Sequence, residues 1–458
     1  MGSNWKQVTL GDVADIGSSK RVKSADYVKE GVPFFRSKEI IERHKGNEIS
    51  TELFISEEHY NSIEEKFGAP KENDILLTSV GTLGVPYQVK KDDKFYFKDG
   101  NLTWFKNFKE NVNPKYIYYW LTSQEAKNCF AEVTIGSTQQ ALTIVALKSI
   151  KLRLPPYEIQ NTTVKHISAL SDKLHLNRDL NKTLEQMAQA LFKSWFIDFD
   201  PVFDNMLAKA DFKLEKFEST LPEELVKKSE IRLLALNDLA EPDKIKASLK
   251  ALAQGLKPLI SQHATTHAHF PCEFEHNEQL GWIPKGWSIV QLSDITTELR
   301  RGISPKYLEE GGIQVVNQRC IRNHAIDFSV ARRNNTEIRK VAGRELLLGD
   351  VLVNSTGVGT LGRMAQVNVL SEPTVVDSHV TVVRPDISKC PVYTFGQLML
   401  ANESRVEALG EGSTGQTELS RKILSEQTVI LPPMDIASHI EGTFKSYAEK
   451  QISNNVQI

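Results

Sequence analysis

Asp74-Ile75-Leu76-Leu77, followed by Gly81-Thr82-Leu83-Gly84, occurs a second time as Asp350-Val351-Leu352-Val353 followed by Gly359-Thr360-Leu361-Gly362. Working outward, Trp5, Val8, Leu10 and Asp12 return as Trp287, Val290, Leu292 and Asp294. Gly31 before Val32, Pro33, Phe34, Phe35 and Arg36 returns as Gly312 before Ile313, Gln314, Val315, Val316 and Asn317. Gly136, Ser137, Thr138 and Gln140 match Gly412, Ser413, Thr414 and Gln416, and Leu154, Pro155, Pro156 match Leu431, Pro432, Pro433. The matches keep their order and their offsets drift only from 276 to 282, which marks duplication of one domain. The copies are expected at 1–155 and 281–433. In each, short β-rich runs such as 75–80 and 375–383 alternate with Gly, Asn and Asp turn signals, so the fold class is α+β with two repeated globules.

The chain, at 458 residues, exceeds one ordinary core, and 40% hydrophobic with 25% charged residues excludes wholesale disorder and collagen-like or disulfide-scaffold classes. Cys129, Cys272, Cys320 and Cys390 lie far apart without a CxxC pair, so reduced thiols are expected. No apolar run approaches a membrane span and the first residues lack signal-peptide features, so a cytoplasmic protein without a membrane partner is expected. Lys plus Arg total 56 against 58 Asp plus Glu, a net charge of −2. A uniformly basic protein is thereby excluded, and any nucleic-acid contact must rest on local positive charge.

From Pro155 and Pro156 the chain runs to Phe196 without another Pro or any Gly, which predicts one long helix at 156–199. Its seam steps three and four alternately through Ile167, Leu170, Leu174, Asn177, Asn181, Leu184, Ala188, Leu191 and Trp195, a coiled-coil period. Roughly forty residues at 1.5 Å each span about 60 Å. The second copy repeats the device at 434–458. Ile436, Ile440, Phe444, Tyr447, Gln451, Asn454 and Ile458 correspond to Ile159, Thr163, Ile167, Leu170, Leu174, Asn177 and Asn181 at a constant offset of 277. The two helices are expected to pair antiparallel and to hold the globules apart in a pseudo-twofold arrangement. The alternative is two amphipathic helices, each on its own domain. No counterpart of Leu184 to Trp195 follows Ile458, so the distal helix reads as short or truncated.

The stretch 200–280 breaks the symmetry with two charged helical runs, 221–239 and 242–256, and a polar segment holding His263, His267, His269, Cys272 and His276. That spacing fits no familiar zinc site, so no metal is expected and the segment reads as an exposed linker.

Ala190 to Pro201, reading ALFKSWFIDFDP, resembles the central conserved region of type I restriction-modification specificity subunits. GVPFFRSKEI at 31–40 looks like part of a target-recognition domain of that family, and LGWIPKGW at 280–287 is similar to the entry of its second one. The resemblance covers the chain outside about 203–270 and departs at the carboxyl end, where members usually continue with an LLPKL-type motif. It implies a DNA-reading scaffold without catalytic chemistry of its own, each domain reading half of a bipartite, asymmetric duplex site. Two modification subunits carrying S-adenosylmethionine would methylate adenine, and restriction (motor-nuclease) subunits using ATP and magnesium would cleave; no cofactor is bound by this chain directly.

The residues agree with a local basic reader. The first copy clusters Lys20, Arg21, Lys23, Arg36 and Lys38 near Tyr27 and Ser37. The second carries Arg300, Arg301, Lys306, Arg319, Arg322, Arg332, Arg333 and Arg363. Gln139, Gln140, Asn317, Gln318 and Gln416 are suited to adenine edges, and Thr82, Thr360, Ser413 and Thr414 to the phosphate backbone. The repeated glycines have two readings: tight turns without a ligand, or close approach to another polymer. A catalytic methyltransferase would need a [DN]PP[YF] tetrad, and Leu154-Pro155-Pro156-Tyr157 leads with leucine, which accepts no hydrogen bond from adenine. No GxxxxGK[ST] phosphate loop is present either. A coiled-coil scaffold for proteins alone would not need arginine-rich loops on both globules.

Overall fold

The four residues Ile75–Thr78 are all buried and form a central strand of the first copy, covered on both faces as a continuous apolar run requires. The computed structural model describes the chain except residues 1–4, 47, 48, 50, 135–139, 218, 219, 256–265, 358, 411–417, 457 and 458. Around Ile75–Thr78 lies a four-stranded antiparallel sheet in the order Asp15–Gly17, Leu102–Lys106, Ile75–Thr78, Pro86–Gln88. The second copy builds the same sheet from Thr296–Arg301, Val380–Pro385, Val351–Asn354 and Met364–Gln366. A second, mixed sheet runs Tyr27–Val28, Phe54–Ile55, Val32–Phe35, Tyr96–Phe97; its repeat is Tyr307–Leu308, Arg332–Asn334, Ile313–Val316, Thr374–Val376. In both mixed sheets only the last pairing is parallel. The run 375–383, read as one strand, is divided between the two sheets. Asp377 turns the chain there: its carboxylate accepts the His379 N–H at 2.9 Å and its carbonyl the Val380 N–H at 3.2 Å.

The duplication extends to single hydrogen bonds. Ser79 Oγ meets Thr103 Oγ1 at 2.6 Å, and Ser355 Oγ meets Thr381 Oγ1 at 2.6 Å. Asp12 accepts the Thr9 N–H at 2.8 Å, as Asp294 accepts that of Gln291 at 2.9 Å. The amides of Gly84 and Gly362 each donate to the residue six or eight positions earlier, Thr78 and Asn354, at 2.8 Å. The Ser–Thr pairs are buried and the aspartate bonds exposed, so both the interior and the surface turns of the frame are repeated.

The chain divides into two units, Met1–Leu174 and His175–Ile458. The long helix is unbroken over Tyr157–Phe196, 40 residues. In the first unit its opening turns pack on the first copy: Gln160, fully buried, accepts the Asn113 N–H at 2.8 Å and donates to the carbonyls of Asn111 and Pro155. In the second unit its later turns pack antiparallel against the distal helix Met434–Val456. Asn177 Nδ2 donates to the Asn454 carbonyl at 3.1 Å, Gln451 Nε2 to that of Asn181 at 3.1 Å, and the Phe192 and Trp195 rings lie 6.3 and 5.8 Å from Phe444. Asn177 and Asn454 occupy the same position in the two copies, so the pair is locally twofold where they meet. The seam is covered unevenly. Asn177, Leu184, Ala188 and Trp195 are buried and Asn181 and Leu191 half-buried; on the distal helix Ile440 and Phe444 are buried and Tyr447 half-buried; Ile167 and Leu170 are exposed and Leu174 half-buried. Periodicity alone did not show this, because it reports an apolar stripe and not which of its positions are buried.

The stretch after the helix is no exposed linker. Helices Asp200–Lys209, Glu223–Asn237 and Pro242–Ala253 and the hairpin Phe274–Asn277 with Gly281–Pro284 join the core of the second unit. Phe196, Phe199 and Phe270 surround Trp287 at 5.5, 5.7 and 6.1 Å between ring centroids. Asp204, wholly buried, takes Arg232 Nε at 2.7 Å and Nη2 at 2.9 Å and faces His267 Nδ1 at 2.9 Å. His267, read as part of a solvated segment, is buried because that carboxylate needs its partners. His263 lies outside the described residues.

Candidate nucleic-acid interface

In the first copy Lys20, Arg21 and Lys23 are exposed on the segment leading to Tyr27–Val28. The Lys20 backbone N–H donates to Tyr96 Oη at 2.9 Å, which fixes where this basic segment leaves the mixed sheet. Arg36 starts the helix Ser37–His44 and is tied to Glu39: its N–H donates at 2.8 Å and Nη2 donates at 2.8 Å. Burial alone would raise the Glu39 pKa, but these bonds hold it below the usual range. Ser37 is half-buried, Lys38 exposed.

Val80 bridges Ala141 and Thr356 bridges Glu418, so Ala141 is held beside the start of the loop bearing Thr82, and Glu418 beside the start of the loop bearing Thr360. Gln140 and Thr82 are exposed, Thr360 and Arg363 half-buried. Gln139, Ser413, Thr414 and Gln416 lie outside the described residues. The last glycine of each loop serves packing: a Cβ on Gly84 would lie 2.6 Å from the Phe130 ring, and one on Gly362 2.7 Å from Glu407 Cα. Gly81 and Gly359 face open space at positive φ.

The second copy sorts its arginines. Arg300 is 7% exposed; its guanidinium pairs with Glu298 and donates to the Arg344 carbonyl at 2.9 Å, a structural commitment. Arg301 donates to Glu418 at 2.9 Å and the Leu419 carbonyl at 2.8 Å, and Arg333 pairs with Glu372. By contrast Asn317, Gln318 and Arg319, consecutive at the end of strand Ile313–Val316, line one open concavity with Tyr307, Arg332 and Asp377. Asn317 accepts the Arg319 N–H on its side-chain oxygen at 2.9 Å and so fixes the start of the Gln318–Cys320 turn that carries Arg319. Thr360 Oγ1 lies 3.4 Å from Gln318 Oε1, joining the glycine loop to the concavity. The Arg332 guanidinium stacks 3.4 Å from the Tyr307 ring centroid. Burial raises the Asp377 pKa, opposed by the His379 N–H. Arg322 and Lys306 are exposed nearby in sequence. Tyr307 and Asp377 were not singled out from the sequence; Tyr307 was findable as the repeat of Tyr27.

Two copies of one hydrogen-bonded frame, carrying differently charged loops at corresponding edges, define a duplicated recognition protein. Residues 2–186 match the family model of the type I restriction modification DNA specificity domain. The chain is 24% identical to the type I restriction enzyme HindI specificity subunit of Haemophilus influenzae over 99% of this chain and 95% of that one. It is 26% identical to the MjaIX specificity subunit of Methanocaldococcus jannaschii over 43% of this chain and 45% of that one. A crystal structure of the S subunit from M. genitalium aligns at 13% identity and TM-score 0.46, covering 99% of this chain and 93% of that one. The chain is thus similar along its length to type I specificity subunits, and its first 186 residues carry the match to their DNA specificity domain.

Proposed function

We infer that this chain is the sequence-reading subunit of a type I restriction-modification complex, binding duplex DNA at a bipartite, asymmetric site. The observation that carries this reading is the pair of domains with one frame and different loop chemistry, which is what unequal half-sites require. The unbroken helix Tyr157–Phe196 supports its role as the spacer that sets the unread gap. Half-sites read from one face of B-DNA lie about 34 Å apart, within the reach of about 60 Å of helix. Methylation and cleavage belong to modification and restriction subunits, which supply S-adenosylmethionine, ATP and magnesium; the specificity subunit directs them. Among the described residues no helix is long and apolar enough to cross a membrane.

Methylome sequencing of a host carrying this chain with its modification partners tests the reading. The expected result is modified adenine in a split motif with a fixed gap; a single uninterrupted tract overturns it. Inserting or deleting one heptad within the long helix changes the gap and leaves both half-sequences unchanged, and an unaltered gap refutes the spacer. Purified chain binds duplex with an affinity that falls steeply with salt, whereas a protein-only scaffold does not.

A further inference from the structure

The concavity of the second copy combines groups that no single phosphate would select. Among the described residues neither Arg319 nor Arg332 forms an ion pair with an acid. Arg332 is immobilised against Tyr307, and Arg319 stands exposed at the rim with its backbone held by Asn317. Asp377 lines the same wall, 4% exposed, with one carboxylate oxygen engaged by the His379 N–H. A carboxylate in the wall of a cavity repels phosphate oxygens and favours a donor. In the major groove the donors are the exocyclic amino groups of adenine and cytosine, while an arginine fork matches guanine O6 and N7. An arginine and a carboxylate in one wall therefore complement the two partners of one base pair.

The first copy provides an internal control. The Lys98 N–H donates to the Phe35 carbonyl at 2.9 Å just as the Asp377 N–H donates to Val316 at 3.0 Å, so Lys98 stands where Asp377 does. Ile55 lies opposite Tyr27 and Val32 as Asn334 lies opposite Tyr307 and Ile313, which puts Leu53 at the position of Arg332. The same place in the frame thus carries a cation and an apolar side chain in one copy, an acid and an arginine in the other.

Resting on the DNA-reading function above, the geometry points to a specificity pocket in which Arg319 reads guanine and Asp377 accepts the amino group of cytosine. The half-site of the second domain then contains a G·C pair that this concavity specifies, and the first half-site is read by different chemistry. The test is selection from a randomised duplex pool by the full chain and by Arg319→Ala, an exposed position whose truncation leaves the core intact. Asp377→Ala, checked for folding by its thermal melt, is the second variant. Arg319→Ala lowers discrimination for guanine at one position roughly 5- to 150-fold and leaves the other half-site unchanged. Asp377→Ala relaxes the same or the adjacent pair. The inference is overturned if Arg319→Ala weakens all sequences equally with a shallower salt dependence, the mark of a phosphate contact, or if neither half-site of the native chain holds a G·C pair at an affected position. If the native chain selects no consensus at all, the DNA-reading function itself fails and this pocket falls with it.

Discussion

His324 gives the second unit a measurable dependence on pH. It lies in the turn between strands Ile321–Arg322 and Ala325–Ile326, where Asn323 and His324 both take left-handed backbone, φ 50° and 58°. The turn carries the ring between Glu185 of the long helix, 3.1 Å from Nδ1, and Glu403, 2.5 Å from Nε2. Gln189 Nε2, 2.7 Å from the same Nδ1, donates to the Glu185 carboxylate at 2.8 Å and helps hold it beside the ring. Hydrogen bonds donated by the protonated ring to Glu185 and Glu403 push the His324 pKa from 6.5 up to about 9 against the effect of burial. A raised folded-state pKa contributes stability that is complete below the unfolded value of 6.5 and is lost as pH rises through about 9. At about 1.4 kcal/mol per pH unit the ceiling is roughly 3 kcal/mol, and solvent screening of a partly exposed ring reduces it to about 2 kcal/mol. His324→Gln keeps a hydrogen-bonding side chain that never charges. Urea unfolding of both proteins from about pH 7 to about pH 10 should show the native chain losing about 2 kcal/mol more than the variant; the comparison cancels lysine and tyrosine titration common to both. Parallel stability curves, or a ring that titrates near its ordinary value by NMR, would refute the reasoning.

Arg232→Ala strands the Asp204 carboxylate, which is 0% exposed, with His267 as its remaining partner, and should cost about 3–5 kcal/mol in urea unfolding. Replacing the pair together, Arg232→Met with Asp204→Leu, should recover most of that loss; no recovery means the cost lies in packing. Gly84→Ala forces a Cβ to 2.6 Å from Phe130 at φ +74° and should cost more, about 2–4 kcal/mol, than Gly81→Ala, which faces open space and pays only the backbone term of about 1–2 kcal/mol. Equal melting temperatures for the two variants would show that the loop's last glycine is not held by that ring.

Legibility of the molecule follows the range of the interactions involved. The repeat could be read because its markers are local. Asp12 and Asp294 cap the turn three residues before them, glycines sit where a turn needs positive φ, and the heptad seam reports one face of one helix. Nothing local distinguishes Arg300 from Arg319. The first is buried because Glu298 and the Arg344 carbonyl come to it, and the second stands free because Asn317 turns the chain outward. Asp377 and Tyr307 are 70 positions apart and share a wall only because strand Thr374–Val376 adds in parallel to Ile313–Val316, which pairs through Arg332–Asn334 to Tyr307–Leu308.

By itself, then, the chain's order of residues determined the duplication, the long helix and the likeness to type I specificity subunits, since each is written in short-range spacing that survives drift elsewhere. Tertiary structure decided which arginines are structural, which seam positions are buried, and that the segment around His267 belongs to a core. Those outcomes depend on which polar group from a distant part of the chain satisfies a buried charge, and desolvation makes that choice only once the strands and helices have met.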